Sequence, residues 1–324
     1  MTLETKAHDK VLVWIKNNTL SVEGVPGKGI VVTSKKRIIY PEVTGYYIPT
    51  LLKWDMKDLA LSFAEYLCSI QKEDGSWYDS KDKAPYIFDS AQILKGLVAI
   101  RDIYPEADEH IIKGCDWILT NMRENGRLVT PDEESWGGDD TFCSEMIHIY
   151  CLEPIRKAGK IFGRNDYLEA VDKILGFYKE NYKDKIENFS LLSHFYAYVM
   201  EGLYDLGEEK FCRESMERIE KFKTPKGGIT GLNDVPWVCS TGIFQLAIVW
   251  YKLGEKAKGD ELFEYACGLQ NASGGWYGSY PENKFKNIFY RGRKKPYYFP
   301  EEEISWAVKY FLDARYYKNQ LENK

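Results

Sequence analysis

A helical segment recurs six times along this chain, and each copy opens on a cluster of polar and aromatic residues. The copies begin near Tyr40-Pro41-Glu42, Phe88-Asp89-Ser90, Thr141-Phe142-Cys143, Leu192-Ser193-His194, Trp237-Val238-Cys239 and Glu302-Glu303-Ile304. Successive starts lie roughly 45 to 65 residues apart, the length of a helical hairpin with its connections. Such a repeat restricts the chain to architectures that stack or close paired helices.

Two kinds of helix alternate. Residues 4–17, 55–71, 107–122, 164–182, 208–222 and 255–270 read as amphipathic helices with one charged side. In the last of these, Ala257, Leu262, Phe263, Ala266 and Leu269 recur at helical spacing, while Glu255, Lys258, Asp260 and Glu264 face away. Residues 43–52, 88–100, 143–155, 191–204, 239–252 and 302–314 are apolar nearly all round, the pattern of a helix buried on every side. Six inner and six outer helices predict an all-α (α/α)6 toroid, a single domain over residues 1–324. Gly24, Pro26, Gly27 and Gly29 surround two β-prone pieces, so residues 20–40 are expected to form a short hairpin or extended arm.

Outer helices end in Gln71-Lys72-Glu73-Asp74-Gly75-Ser76-Trp77 and Gln270-Asn271-Ala272-Ser273-Gly274-Gly275-Trp276, two copies of Q-x3-G-x-W. Weaker relatives run from Asn121 to Gly126 and from Lys223 to Gly228. The glycine is expected to end the outer helix in a left-handed turn. The turn motif resembles the repeat of the terpene cyclase and protein prenyltransferase superfamily, which builds α/α toroids. Over nearly the whole chain, Tyr40-Pro41-Glu42-Val43-Thr44-Gly45-Tyr46, Phe88-Asp89-Ser90-Ala91-Gln92, His194-Phe195-Tyr196-Ala197-Tyr198 and Glu303-Ile304-Ser305-Trp306-Ala307 resemble toroid proteins of bacterial surface-polysaccharide biosynthesis. That resemblance implies carbohydrate chemistry and an association with glycan-assembly enzymes. Cyclisation chemistry is disfavoured because neither D-x-D-D nor D-D-x-x-D occurs, although Gly137-Gly138-Asp139-Asp140 follows Trp136.

Composition narrows the ligand. Aromatic residues make up 15% of the chain, many in Gly- and Pro-containing connections, which favours a cleft that stacks on sugars or encloses apolar groups. A formal charge of −5 argues against nucleic acid as a partner. The one basic run, Arg291-Gly292-Arg293-Lys294-Lys295, reads as a solvated turn or as a partner for an anionic substrate. Apolar runs such as Leu246-Ala247-Ile248-Val249-Trp250 are too short to span a bilayer, and the N-terminus lacks a signal-peptide apolar stretch, so a cytoplasmic protein is expected. The seven cysteines include no C-x-x-C pair, no P-loop or dinucleotide fingerprint is visible, and neither a metal nor a cofactor is indicated. Cys239 heads the fifth inner helix, where it reads as a small buried cap or as a thiol activated by the helix field.

If every hairpin inserts the same way, the inner-helix starts share one end of the ring, and Glu42, Asp89, His194 and Glu303 become the candidate catalytic residues. Paired carboxylates suit glycosidic cleavage: one protonates the leaving oxygen while the other activates water or attacks. Each also reads as a first-turn carboxylate satisfying a helix N-terminus. His194 with a tyrosine suits removal of the C5 proton of a uronic acid, the chemistry of a lyase or epimerase, with Arg291 and Arg293 as carboxylate partners. It reads equally as a satisfied structural group. Tyr40, Tyr46, Tyr47, Gln92, Tyr196, Trp237, Tyr298 and Trp306 are the candidate substrate-binding residues. A non-catalytic glycan-binding protein would carry the same aromatics.

Overall fold

The computed structural model describes residues 3–131, 142–282 and 297–323. Five inner helices form as the apolar pattern predicts: α2 (Pro41–Lys53), α4 (Ile87–Ile100), α9 (Ser193–Asp205), α11 (Ser240–Lys252) and α13 (Ser305–Glu322). The outer helices are α1 (Leu3–Asn17), α3 (Lys57–Ile70), α5 (Ala107–Thr120), α7 (Asn165–Asn181), α10 (Glu209–Ile219) and α12 (Lys256–Cys267), with a short α8 (Lys183–Glu187) after α7. Each inner element packs on the next, α13 packs back on α2, and α1 lies against α12 and α13, so the ring closes through the chain's first helix. The chain is an (α/α)6 toroid.

The third inner position departs from expectation. Instead of one α-helix over residues 143–155, Glu145–Cys151 winds as a 3₁₀ helix that passes into α6 (Leu152–Phe162). Pro154 lies in the first turn of α6, the place where a missing N–H costs least. The expected arm is two short antiparallel strands, β1 (Thr19–Leu20) and β2 (Gly29–Ile30). Its continuation ties to the last inner helix through a bridge from Thr33 to Ile304. A second pair, β3 (Trp237–Cys239) and β4 (Ser279–Pro281), leads into α11.

The Q-x3-G-x-W segments share one geometry, though the glycine does not cap the helix as expected. Helix α3 ends at Ile70, Gln71 is extended, and Gly75 occupies the left-handed region (φ 93°) in the turn beyond. Gly274 repeats this at φ 99°. A Cβ at Gly75 would lie 2.3 Å from the Lys113 carbonyl oxygen, and one at Gly274 would lie 2.4 Å from that of Lys10. Gln71 Nε2 donates to the carbonyls of Gly75 and His110, and Gln270 Nε2 to those of Gly274 and Ala7. Trp77 and Trp276 are buried and donate to Leu67 and Ala266 on the preceding outer helix. Each motif therefore fastens its own outer helix to the next one around the ring. Trp136 and Gly137 to Asp140 lie outside the described residues, as do Arg291 to Lys295.

Candidate active site

Proline at the first position of α2, after an extended Tyr40, turns the chain into the ring and places Glu42 in the first helical turn. Asp89 holds the matching place in α4. The two helices cross closely because Gly45 has no side chain: a Cβ there would lie 2.4 Å from Ile93 Cα. One turn toward the N-terminus from this crossing are Glu42 on α2 and Asp89 on α4. That contact brings the two carboxylates to one cavity.

The cavity has a volume of about 500 Å³. Its lining includes the carboxylates Glu42, Asp89 and Asp79 and the rings of Tyr298, Phe299, Trp306, Tyr198 and His194. The Tyr40 hydroxyl donates to Asp89 Oδ2 at 3.1 Å, and the Trp306 indole donates to Glu42 Oε2 at 3.4 Å. Trp306 packs edge-on to Tyr40 with ring centres 6.2 Å apart. Tyr198 lies between Phe88 (5.0 Å) and His194 (4.5 Å), tilted against both rings. Asp79 is set by its own loop, where its carboxylate accepts the backbone N–H groups of Lys81 and Lys83.

Burial removes both carboxyls from water and pushes their affinities for protons upward. Asp89 rises to about 7, the Tyr40 hydrogen bond opposing the shift and Asp79 adding to it. Glu42 stands well above the carboxylate range through burial and the neighbouring Asp89 charge, which outweigh the Trp306 hydrogen bond and Lys309. Burial carries the His194 ring down to about 3, against the Gln245 hydrogen bond, so this imidazole is neutral across the physiological range. The Cys239 thiol is buried and pushed up to about 12 by burial, which agrees with the small buried cap and not with a thiol activated by the helix field.

No protein-family model matches the chain, and no curated protein matches it in sequence. Solved structures do. The chain is similar to a possible member of the GH105 family from Salmonella enterica, at 11% identity and a TM-score of 0.68 over 99% of this chain and 94% of that one. It is similar to an unsaturated glucuronyl hydrolase specific for heparin, at 16% identity and a TM-score of 0.65 over 99% and 98%. A type II terpene cyclase from Scytonema gives 11% identity and a TM-score of 0.63 over 99% and 100%. The likeness is one of fold.

Of the residues singled out in the sequence, the cavity gathers Tyr40, Glu42, Asp89, His194, Tyr298 and Trp306. Glu303 is not among them. Helix α13 begins only at Ser305, and Glu303 sits in the preceding connection, where it accepts hydrogen bonds from Trp14 Nε1 (2.8 Å), Asn271 Nδ2 (2.9 Å) and the Ser273 hydroxyl. Tyr46 is buried outside the lining with Lys309 over its ring, and Tyr47 donates to the Ser305 carbonyl. Gln92 Nε2 turns back to the Phe88 carbonyl at 3.4 Å, Tyr196 donates to the Ile186 carbonyl, and Trp237 packs on Tyr297. Sequence reading missed Asp79, Ser80, Tyr86, Phe88, Phe195, Tyr198 and Phe299 as cavity residues. Tyr198 had a signal, since it follows His194 by one helical turn on the same face. Asp79 reads locally as a turn residue, its carboxylate accepting nearby backbone N–H groups, and nothing in that pattern points to the cavity.

Proposed function

We propose that this protein cleaves a glycosidic bond, with Glu42 as the proton donor and Asp89 as the base or nucleophile. The observation that carries the reading is a pair of buried carboxyls in one aromatic-lined cavity, both with proton affinities raised by burial. Two carboxyls facing one substrate can divide the acid and base roles of glycosidic cleavage between them. A sugar ring would lie against Trp306, Tyr298 and Phe299 with its polar edge toward the acids. As the bond between the anomeric carbon and the leaving oxygen breaks, Glu42 passes its proton to that oxygen. Ionised Asp89 takes a proton from the attacking water, or attacks the anomeric carbon itself before water completes hydrolysis.

Structural likeness to a possible GH105 member and to a glucuronyl hydrolase supports a carbohydrate substrate at the level of fold. Sequence resemblance to surface-polysaccharide toroids supports a place beside glycan-assembly enzymes. Among the described residues no helix is long and apolar enough to cross a membrane. The test is incubation with fragments of the producer's own surface polysaccharide, followed by product NMR. New reducing ends that vanish in Asp89→Asn and Glu42→Gln support the reading, and full activity in both variants eliminates it. Unchanged glycans would favour a binding protein. Uronate elimination or epimerisation through His194 predicts a new ultraviolet absorbance or solvent deuterium at C5. A ring neutral down to about pH 3 is a weak base for that step.

A further inference from the structure

A line of hydrogen bonds runs from the cavity toward the opposite mouth of the ring, across two neighbouring inner helices. Its geometry starts at another close crossing. A Cβ on Gly242 of α11 would lie 2.7 Å from the His194 backbone nitrogen, so only glycine lets α11 approach the start of α9. Gln245, one turn further along α11, is thereby set beside the His194 ring. His194 Nδ1 lies 2.9 Å from Gln245 Oε1, and Gln245 Nε2 donates to Glu201 Oε2 at 3.3 Å. Lys252 Nζ donates to Glu201 Oε1 at 2.9 Å and to Asp205 at 2.8 Å. His194, Gln245 and Glu201 are all buried.

The direction of the chain follows from which groups can donate. Burial alone would raise the Glu201 carboxyl, but Lys252, Lys95 and Lys309 hold it down at about 2, so it is ionised and accepts only. It therefore takes the NH₂ end of Gln245, and the amide carbonyl must face His194. A carbonyl oxygen also only accepts, so the imidazole proton sits on Nδ1. The other nitrogen of the neutral ring, Nε2, is left with a lone pair.

We propose that Gln245 and Glu201 are positioning residues that lock His194 in its Nδ1–H tautomer, making it a hydrogen-bond acceptor for a sugar hydroxyl in the cavity. The use of that acceptor rests on the glycosidic reading; the tautomer does not. The lock also selects among ligands. A hydroxyl or amine proton meets Nε2 favourably, whereas a carboxylate oxygen meets it lone pair to lone pair. A uronate carboxylate is thus turned away from this side of the cavity, and a neutral or amino sugar hydroxyl is accepted.

Long-range ¹H–¹⁵N correlation spectra of the uniformly labelled, ligand-free full chain test this directly, with His194 identified by the signal lost in His194→Gln. The expected result, from about pH 6 to 8, is a protonated-type Nδ1 and an unprotonated-type Nε2. Gln245→Met should lose that selection and give a mixed or Nε2–H ring, while Gln245→Glu, which keeps an acceptor, should retain Nδ1–H. Glu201→Gln, which frees the amide to reverse, should lose part of the Nδ1–H signal. An Nε2–H ring in the wild type, or an unchanged Nδ1–H ring in Gln245→Met, overturns the proposal. The wild-type spectrum decides the tautomer by itself, so a variant that fails to fold leaves the test intact. Absence of glycan cleavage would remove the glycosidic reading without altering this result.

Discussion

On the proposed reading, Asp89 is where pH should act on both rate and stability. Its carboxyl titrates near 7 in the folded chain, while an exposed aspartate titrates near 4. Below about pH 4 both folded and unfolded states hold the proton, and nothing is lost. Between there and 7 the unfolded state ionises first, so stability falls as pH rises and levels off above the folded value. Asp89→Asn removes that penalty. Urea unfolding should show the variant gaining on the wild type by on the order of 2–4 kcal/mol between acid and mildly alkaline pH. An unchanged difference across that range would contradict a buried, proton-holding Asp89. Activity should move the other way. Glu42→Gln and Asp89→Asn should each lower turnover by about 10²–10⁴-fold while circular dichroism stays native. The acid limb of the kcat/KM profile should lie near pH 7, following Asp89 ionisation. Tyr40→Phe removes the hydroxyl that favours the ionised form, so that limb should shift to higher pH.

At the scale of elements, the turn after each outer helix is a repeated device whose sequence signature is only partly kept. The turns at Lys72, Arg123, Thr224 and Asn271 share one backbone pattern. The N–H of each bonds four residues ahead, and a glycine N–H bonds back to it. Where the Gln and Trp of the motif stand in two turns, Met122 and Leu128 stand in the turn at Arg123, and Lys223 and Ile229 in the turn at Thr224. The left-handed glycine there is Gly227, not Gly228. A backbone pattern that four sequences can satisfy leaves a signature only where side chains also do a job, as Gln71 and Trp77 do. Gly75→Ala and Gly274→Ala should each cost about 1–3 kcal/mol, because φ is positive and a carbonyl fills the Cβ site. Gly176→Ala, in the open interior of α7, should instead stabilise by about 0.5–1 kcal/mol. Chemical denaturation of the three variants decides whether the turn geometry or mere loss of glycine matters.

For the whole molecule, closure of the ring falls on contacts between its first and last parts. Gln270 reaches the Ala7 carbonyl, Gly274 packs on Lys10, and Trp14 donates to Glu303. Glu303→Gln should therefore lower stability by about 1–3 kcal/mol and leave kcat unchanged, since its bonds serve closure and not the cavity. A loss of turnover at full stability would return Glu303 to the site. The opposite mouth is held by buried ion pairs, with Asp313 between Lys53 and Lys309, each at 2.9 Å. Asp313→Asn would leave the buried Lys309 ammonium and the partly buried Lys53 ammonium without their anion and should cost about 2–5 kcal/mol, seen as a lowered melting temperature.

The alternation of amphipathic and wholly apolar helices by itself determined the toroid, because a helix apolar on every side has no stable place except inside a ring of others. It also pointed to inner-helix starts, where chain direction alone puts Glu42, Asp89 and His194 at one end. Tertiary structure decided which of those starts face a common space. Gly45 against Ile93 and Gly242 against His194 set how closely inner helices cross, and a crossing distance is a property of two helices, not of either sequence pattern. Glu303 looked equivalent to the others along the chain, but its helix begins two residues later and its carboxylate is taken by Trp14 and the last turn. Gln245 and Glu201 sit on two different inner helices, and only their packing brings them into one line with His194.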